Sequence, residues 1–134
     1  MVQNAAAKLF GGLRKYDHVT PILRDTLHWL PVTYRVEFKI ALLTYNALHN
    51  MAPEYLKEMC RPTASNPFLA PNRSASRGDL MRCGWNSVSY GQRSFYYSSA
   101  AVWNSLPTYL RQQYSPLSFK KHLKTYLFKR AYGA

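Results

Sequence analysis

Six carboxylates limit the chemistry open to this chain. They are Asp17, Asp25, Glu37, Glu54, Glu58 and Asp79, and none lies C-terminal to position 79. Metal-assisted phosphoryl transfer needs carboxylates clustered closely enough to hold the ions, and these are scattered. The soft metal ligands are Cys60, Cys83, His18, His28, His49 and His122. Zinc sites use close pairs such as C-x2-C or H-x3-H, because a short loop must aim two ligands at one ion, and no such pair occurs. Serines are plentiful, yet no G-x-S-x-G elbow surrounds any of them. Gly11-Gly12 runs into Leu13-Arg14-Lys15 without the spacing of a phosphate-cradling loop. The residues predict neither a catalytic centre nor a metal site, and no cofactor is expected.

The cations are a different matter. The 134 residues carry 18 Lys and Arg against 6 acids, a formal net charge of +12. Such a surplus points to polyanions, with nucleic acid first and an anionic membrane surface second. The surplus is uneven, since residues 80–134 hold basic residues and no acid. Candidate nucleic-acid contacts are therefore Lys120, Lys121, Lys124, Lys129 and Arg130 near the C-terminus, with Arg82 and Arg93 further back. Rings interleave with cations at Tyr90, Arg93, Phe95, Tyr96 and Tyr97, and again at Tyr109, Arg111 and Tyr114. Aromatic side chains can stack on unpaired bases while Lys and Arg take phosphates, although Tyr and Trp also fill small helical cores. The expected partner is an RNA or DNA backbone rather than a small-molecule substrate. The apolar runs are short and broken by Lys, Arg or His, so no membrane partner is expected. Met1 to Phe10 lacks a signal-peptide pattern, and two cysteines suit a reducing compartment. An intracellular location, nuclear or cytoplasmic, follows as the expectation.

These side chains must be positioned by helices. An Ala-rich helix is predicted over residues 1–10, stopped by Gly11-Gly12. Thr20-Pro21 opens a short helix to about Leu27, with Thr20 as cap and Pro21 at its first position. Pro31 opens the strongest element, in which Val32, Val36, Ile40, Leu43 and Ala47 recur at helical spacing as far as about His49. Pro53 starts a shorter helix ending near Cys60. Arg61 to Asp79 is rich in Pro, Ser, Asn and Arg and reads as a loop or linker. Leu80-Met81-Arg82-Cys83 suits a short strand. A helix is expected over 94–105, with Phe95, Val102 and Trp103 inward, ended by Leu106-Pro107. Ser115-Pro116 opens the last helix, to about Arg130, with Phe119, Leu123, Tyr126 and Leu127 on one face and the lysines on the rest. The result is a mainly α fold, a small domain of about five or six helices, with room for a short strand pair around 80–90. Its parts are an N-terminal helical half (1–60), the linker (61–79) and a basic C-terminal helical half (80–134), together one domain.

Three blocks of sequence also carry a resemblance. The first is Val2-Gln3-Asn4-Ala5-Ala6-Ala7-Lys8 with Arg14-Lys15-Tyr16-Asp17-His18-Val19-Thr20-Pro21. The second is Leu27-His28-Trp29-Leu30-Pro31-Val32, with Phe38-Lys39-Ile40, Thr44-Tyr45, Ala47-Leu48-His49 and Ala52-Pro53 following. The third runs from Tyr90-Gly91 and Arg93-Ser94-Phe95 through Trp103-Asn104-Ser105-Leu106-Pro107 to Ser118-Phe119-Lys120 and Tyr126-Leu127-Phe128. In order and spanning nearly the whole chain, they resemble the C-terminal region of the polyprotein of LINE-type (non-LTR) retrotransposons, beyond the reverse transcriptase core. The resemblance implies that the polymerase carboxylates, in a Tyr-x-Asp-Asp motif, and the endonuclease belong to upstream domains. This chain would then be a fragment, with those domains as possible partners. It implies help in binding template RNA and assigns that role to no individual residue. Two other readings are a structural or interaction domain bracing the polymerase, and an unfolded relic of a truncated element. Trp29 and Trp103, each beside a Leu-Pro step, are expected to be buried anchors at helix ends.

Overall fold

The computed structural model describes residues 2–65, 73, 78–81 and 95–133. Helices dominate them. In chain order these are α1 (Val2–Gly11), a π-helical turn (Ile22–Thr26), α2 (Val32–Leu48), α3 (Glu54–Met59) and a 3-10 turn (Thr63–Ser65), then α4 (Phe95–Ser105), α5 (Thr108–Arg111) and α6 (Pro116–Tyr132). No strand longer than a single antiparallel bridge, Pro62 to Leu80, occurs among the described residues. The mainly α expectation therefore holds.

The α2 helix is the central element, with α4 and α6 packed against it. Its inward stripe is Ala41, Thr44, Tyr45 and Ala47. The Thr44 hydroxyl is buried with them and donates to the Ile40 carbonyl at 2.8 Å, so no polar atom there is left bare. Tyr45 lies between two other rings, His49 at 4.0 Å on one side and Phe119 of α6 at 4.2 Å on the other. Trp103 of α4 leans on Phe119 at 6.0 Å. One apolar cluster joins these rings to Leu30, Cys60, Leu80, Leu110, Leu123 and Leu127. It draws on residues from both sides of the expected linker.

Helix ends follow local chemistry. Gly12, at φ +64°, ends α1 in the left-handed region, as the Gly-Gly pair predicts. Asn50 (φ +59°) does the same for α2, and Met51 N–H reaches back to the Asn46 carbonyl at 2.8 Å. Ser115 and Pro116 occupy the predicted N-cap and first positions of α6, although the Ser115 side chain makes no capping bond. Pro31 and Pro53 sit one residue earlier than expected, as N-caps with extended ψ, so α2 and α3 begin at Val32 and Glu54.

Three expectations need correction. The Thr20-Pro21 helix widens into a π turn, with Leu27 N–H bonded five residues back to Ile22. This turns Leu23 into the interior and sets Ile22 against Gly11, where a Cβ would meet Ile22 Cδ1. Of the strand pair expected around 80–90, Leu80 bridges to Pro62, in the stretch read as linker, and Arg82 to Tyr90 lie outside the described residues. Asp79, placed in that linker, is buried. Trp29 is 38% exposed whereas Trp103 is 3% exposed, so only the second is a buried anchor. The Trp103 indole N–H finds the Gly78 carbonyl at 3.2 Å, and Trp29 keeps its ring at the surface.

Candidate nucleic-acid interface

The placement of five of the six acids shows which cations are neutralised. Asp25 pairs with Arg24 at 2.8 Å, Glu54 with Lys57 at 3.4 Å, Glu37 with Arg130 at 3.0 Å and Asp79 with Arg111 at 2.6 Å. Asp17 accepts the Arg14 backbone N–H at 2.8 Å. Arg35, Lys39, Lys120, Lys121, Lys124 and Lys129 have no acid partner among the described residues, and all six are exposed. They lie on α2 and α6.

Arg130 was a candidate contact, and the structure gives its guanidinium an internal role. Besides Glu37, it sits over the Tyr34 and Tyr126 rings, 5.7 Å from each centroid. It ties α6 to α2. Lys120, Lys121, Lys124 and Lys129 remain exposed along α6, as the sequence suggested. Arg82 and Arg93 lie outside the described residues, as does the aromatic-basic run from Tyr90 to Arg93. Arg111, read as interleaved with surface rings, is instead buried against Asp79.

Arg35 and Lys39, which the sequence reading did not single out, are four residues apart on one face of α2. Together with Lys124 they line a groove of about 890 Å³ whose floor includes Trp29, Val32, Val36 and Phe38. A depression of about 230 Å³ shares His28 and Lys124 with it and adds Lys129 and Phe128. A third, of about 420 Å³, shares Trp29, Val32 and Arg35 and extends to Val2 and Ala6 of α1. Through these shared residues the three adjoin one another, as a trough from α1 across the start of α2 to α6. Its lining includes Arg35, Lys39, Lys124 and Lys129 and not one carboxylate. The signal in the sequence was the Arg35/Lys39 spacing on a helix whose only acid, Glu37, points elsewhere.

The corner that carries Trp29 is fixed from several sides. Trp29 N–H donates to the Leu23 carbonyl at 2.8 Å, and the Tyr132 hydroxyl donates to the Trp29 carbonyl at 2.6 Å. Gln3 donates to the Leu30 carbonyl at 2.7 Å, and Leu30 is buried. Burial raises the Tyr132 phenol above its usual range, against an opposing pull from Arg24, so it stays a donor at neutral pH. His28, just before Trp29, takes φ +50°, a conformation costing a non-glycine residue about 1 kcal/mol or more, and packs on Phe128 at 5.9 Å. On this firmly held backbone, Trp29 lines the trough.

No three His, Cys, Asp or Glu side chains gather as a metal site among the described residues. The Cys60 thiol is buried, which raises its pKa against weaker opposing bonds from Ser99 and Thr44, and it is a poor nucleophile there. No described helix is long and apolar enough to cross a membrane. Comparison with family models, curated proteins and solved structures finds no match to the chain.

Proposed function

We propose that this chain is a non-catalytic nucleic-acid-binding module that holds a phosphate backbone along the basic faces of α2 and α6. The observation that carries this reading is the convergence of Arg35, Lys39 and Lys124, all free of acid partners among the described residues, on one trough. Lys120, Lys121 and Lys129 extend the same positive field along α6. The resemblance to the C-terminal region of LINE-type polyproteins supports RNA as the first polymer to try, with the reverse transcriptase domains as the assembly it would serve. A bracing role against such a domain is the second reading. It is favoured by Val2, Leu9 and Phe10 of α1, which are exposed and apolar.

The test is fluorescence anisotropy with a labelled single-stranded RNA over a salt series. The expected dissociation constant at physiological salt is roughly 10⁻⁴–10⁻⁶ M. Each phosphate neutralised adds about 0.7 to the slope of log affinity against log salt on single strands and about 0.9 on duplex. Replacing Lys120, Lys121 and Lys124 with Gln preserves helix propensity. It should shallow the slope by about 2 on single strands. Wild-type protein that shows no salt-sensitive binding would overturn this reading in favour of the brace.

A further inference from the structure

We infer that the trough is a single-strand site in which the exposed Trp29 indole stacks on an unpaired base while Arg35, Lys39 and Lys124 hold the adjoining phosphates. This rests on the nucleic-acid reading above and adds the kind of strand recognised. Three observations carry it. Trp29 is a large ring left 38% exposed in a protein whose other described indole is 3% exposed. Its backbone is bonded at both its N–H and its carbonyl, so the corner that carries the ring is held in place before any ligand arrives and less ordering is lost on binding. The ring lines both larger depressions of the trough, with cations and no carboxylate beside it. An apolar protein segment would gain from the ring and from Val32 and Val36, but would leave the cations unmatched. A duplex would satisfy the cations and leave the ring without a face to stack on, because its bases are already stacked. A single strand meets both demands, since every base offers a π-face and every nucleotide a phosphate.

The test uses three probes, a 12-nucleotide oligouridylate, the same oligomer with abasic sites, and a 12-base-pair RNA duplex. Wild-type protein should bind the oligouridylate more tightly than the abasic oligomer or the duplex. Losing one base–aromatic stack lowers affinity by roughly 5- to 160-fold. Trp29→Ala should lose about that factor on the oligouridylate, little on the abasic oligomer, and keep the salt slope. Trp29→Phe should recover most of the loss. If Trp29→Ala does not fold, by circular dichroism, the wild-type comparison of oligouridylate with abasic oligomer still decides. Equal affinity for those two probes, with a normal salt slope, overturns stacking and leaves the phosphate-binding function standing. A folded Trp29→Ala that binds as wild type overturns it too, and hands the ring to a protein partner. Absence of salt-sensitive binding to all three probes overturns the function itself.

Discussion

At the residue scale, the two tryptophans show how one local signal divides into two roles. Both stand beside a Leu-Pro step, and the pre-proline restriction shapes both corners. Trp103 has Phe119 beside it and a carbonyl for its N–H, so it is core. Trp103→Ala should cost about 3–5 kcal/mol, whereas Trp29→Ala should cost clearly less because more of its surface is already in solvent, read from urea unfolding. Equal losses at the two positions would put the Trp29 ring back in the core. Tyr45 offers a test with a sign. Its ring is stacked between His49 and Phe119, its hydroxyl donates to the Gln113 carbonyl at 2.7 Å, and burial raises its phenol pKa. The folded pKa lies above the unfolded value of about 10, so the unfolded chain loses this proton first as pH rises. Tyr45 thus contributes stability that is complete below about pH 10 and is lost as pH climbs through the folded value. Tyr132 acts in the same direction. Tyr45→Phe should lower stability at pH 7 by about 1 kcal/mol and flatten the alkaline fall above about pH 10. An alkaline limb identical to wild type would show that the hydroxyl is not protected.

At the element scale, the fold depends on a clamp that α4 and α5 close on residues 78–81. Asn104 accepts the Leu80 N–H at 2.8 Å and donates to the Leu80 carbonyl at 3.1 Å, standing in for a neighbouring strand. On the other edge, Thr63 N–H bonds the Asp79 carbonyl at 2.9 Å and Met81 N–H the Arg61 carbonyl at 2.8 Å. Asn104→Ala would strip both partners from the buried Leu80 peptide, an expected loss of about 1–3 kcal/mol per group left unsatisfied. The Asp79–Arg111 pair locks the same clamp, with its side chains only 12% and 8% exposed. Asp79→Asn alone should cost about 3–5 kcal/mol by stranding a buried guanidinium. The double change Asp79→Asn with Arg111→Met should recover much of that, because Arg111 Nε has no hydrogen-bond partner among the described residues. Additive losses in this cycle would contradict a direct pair. The clamp also shows what the sequence conceals. Helices α2 and α6 were legible because apolar period and Pro-marked starts are local signals. Asp79 looked like loop because its partner lies 32 residues on. Asn104 belonged to a specific block, Trp-Asn-Ser-Leu-Pro, with nothing local to say that its amide would complete a bridge. The single-turn α5 was missed, since four residues carry no periodicity. The lysines of α6 were legible as a charge run. The trough was not, because it exists only where Arg35, Lys39 and Lys124 meet across two elements far apart in sequence.

At the scale of the whole molecule, charge works against compactness. Against a net charge of +12 stand the surface pairs Arg24–Asp25, Lys57–Glu54 and Arg130–Glu37, each weak because solvent and salt screen it. The Asp79–Arg111 pair is buried and little screened by salt. Repulsion among the unpaired cations of α2 and α6 is exposed and therefore screened, with a Debye length falling from about 30 Å at 0.01 M to about 10 Å at 0.1 M. The repulsive term should outweigh the surface pairs. Raising sodium chloride from about 10 to 300 mM should then stabilise the protein by about 1 kcal/mol, or roughly 3 °C in Tm for a domain of this size. A single transition is expected, because the apolar cluster joins α2, α4, α5 and α6. Two variants separate the contributions. Exchanging Lys120, Lys121 and Lys124 for Gln removes three like charges, so it should raise Tm at low salt and weaken the salt dependence. Arg130→Met removes one charge together with its Glu37 bond and its place over Tyr34 and Tyr126, so it should lower Tm at every salt concentration. A wild-type Tm that falls as salt rises would mean that attraction, not repulsion, dominates the surface, and the cations of the trough would lose their standing as an unmatched field awaiting a polyanion.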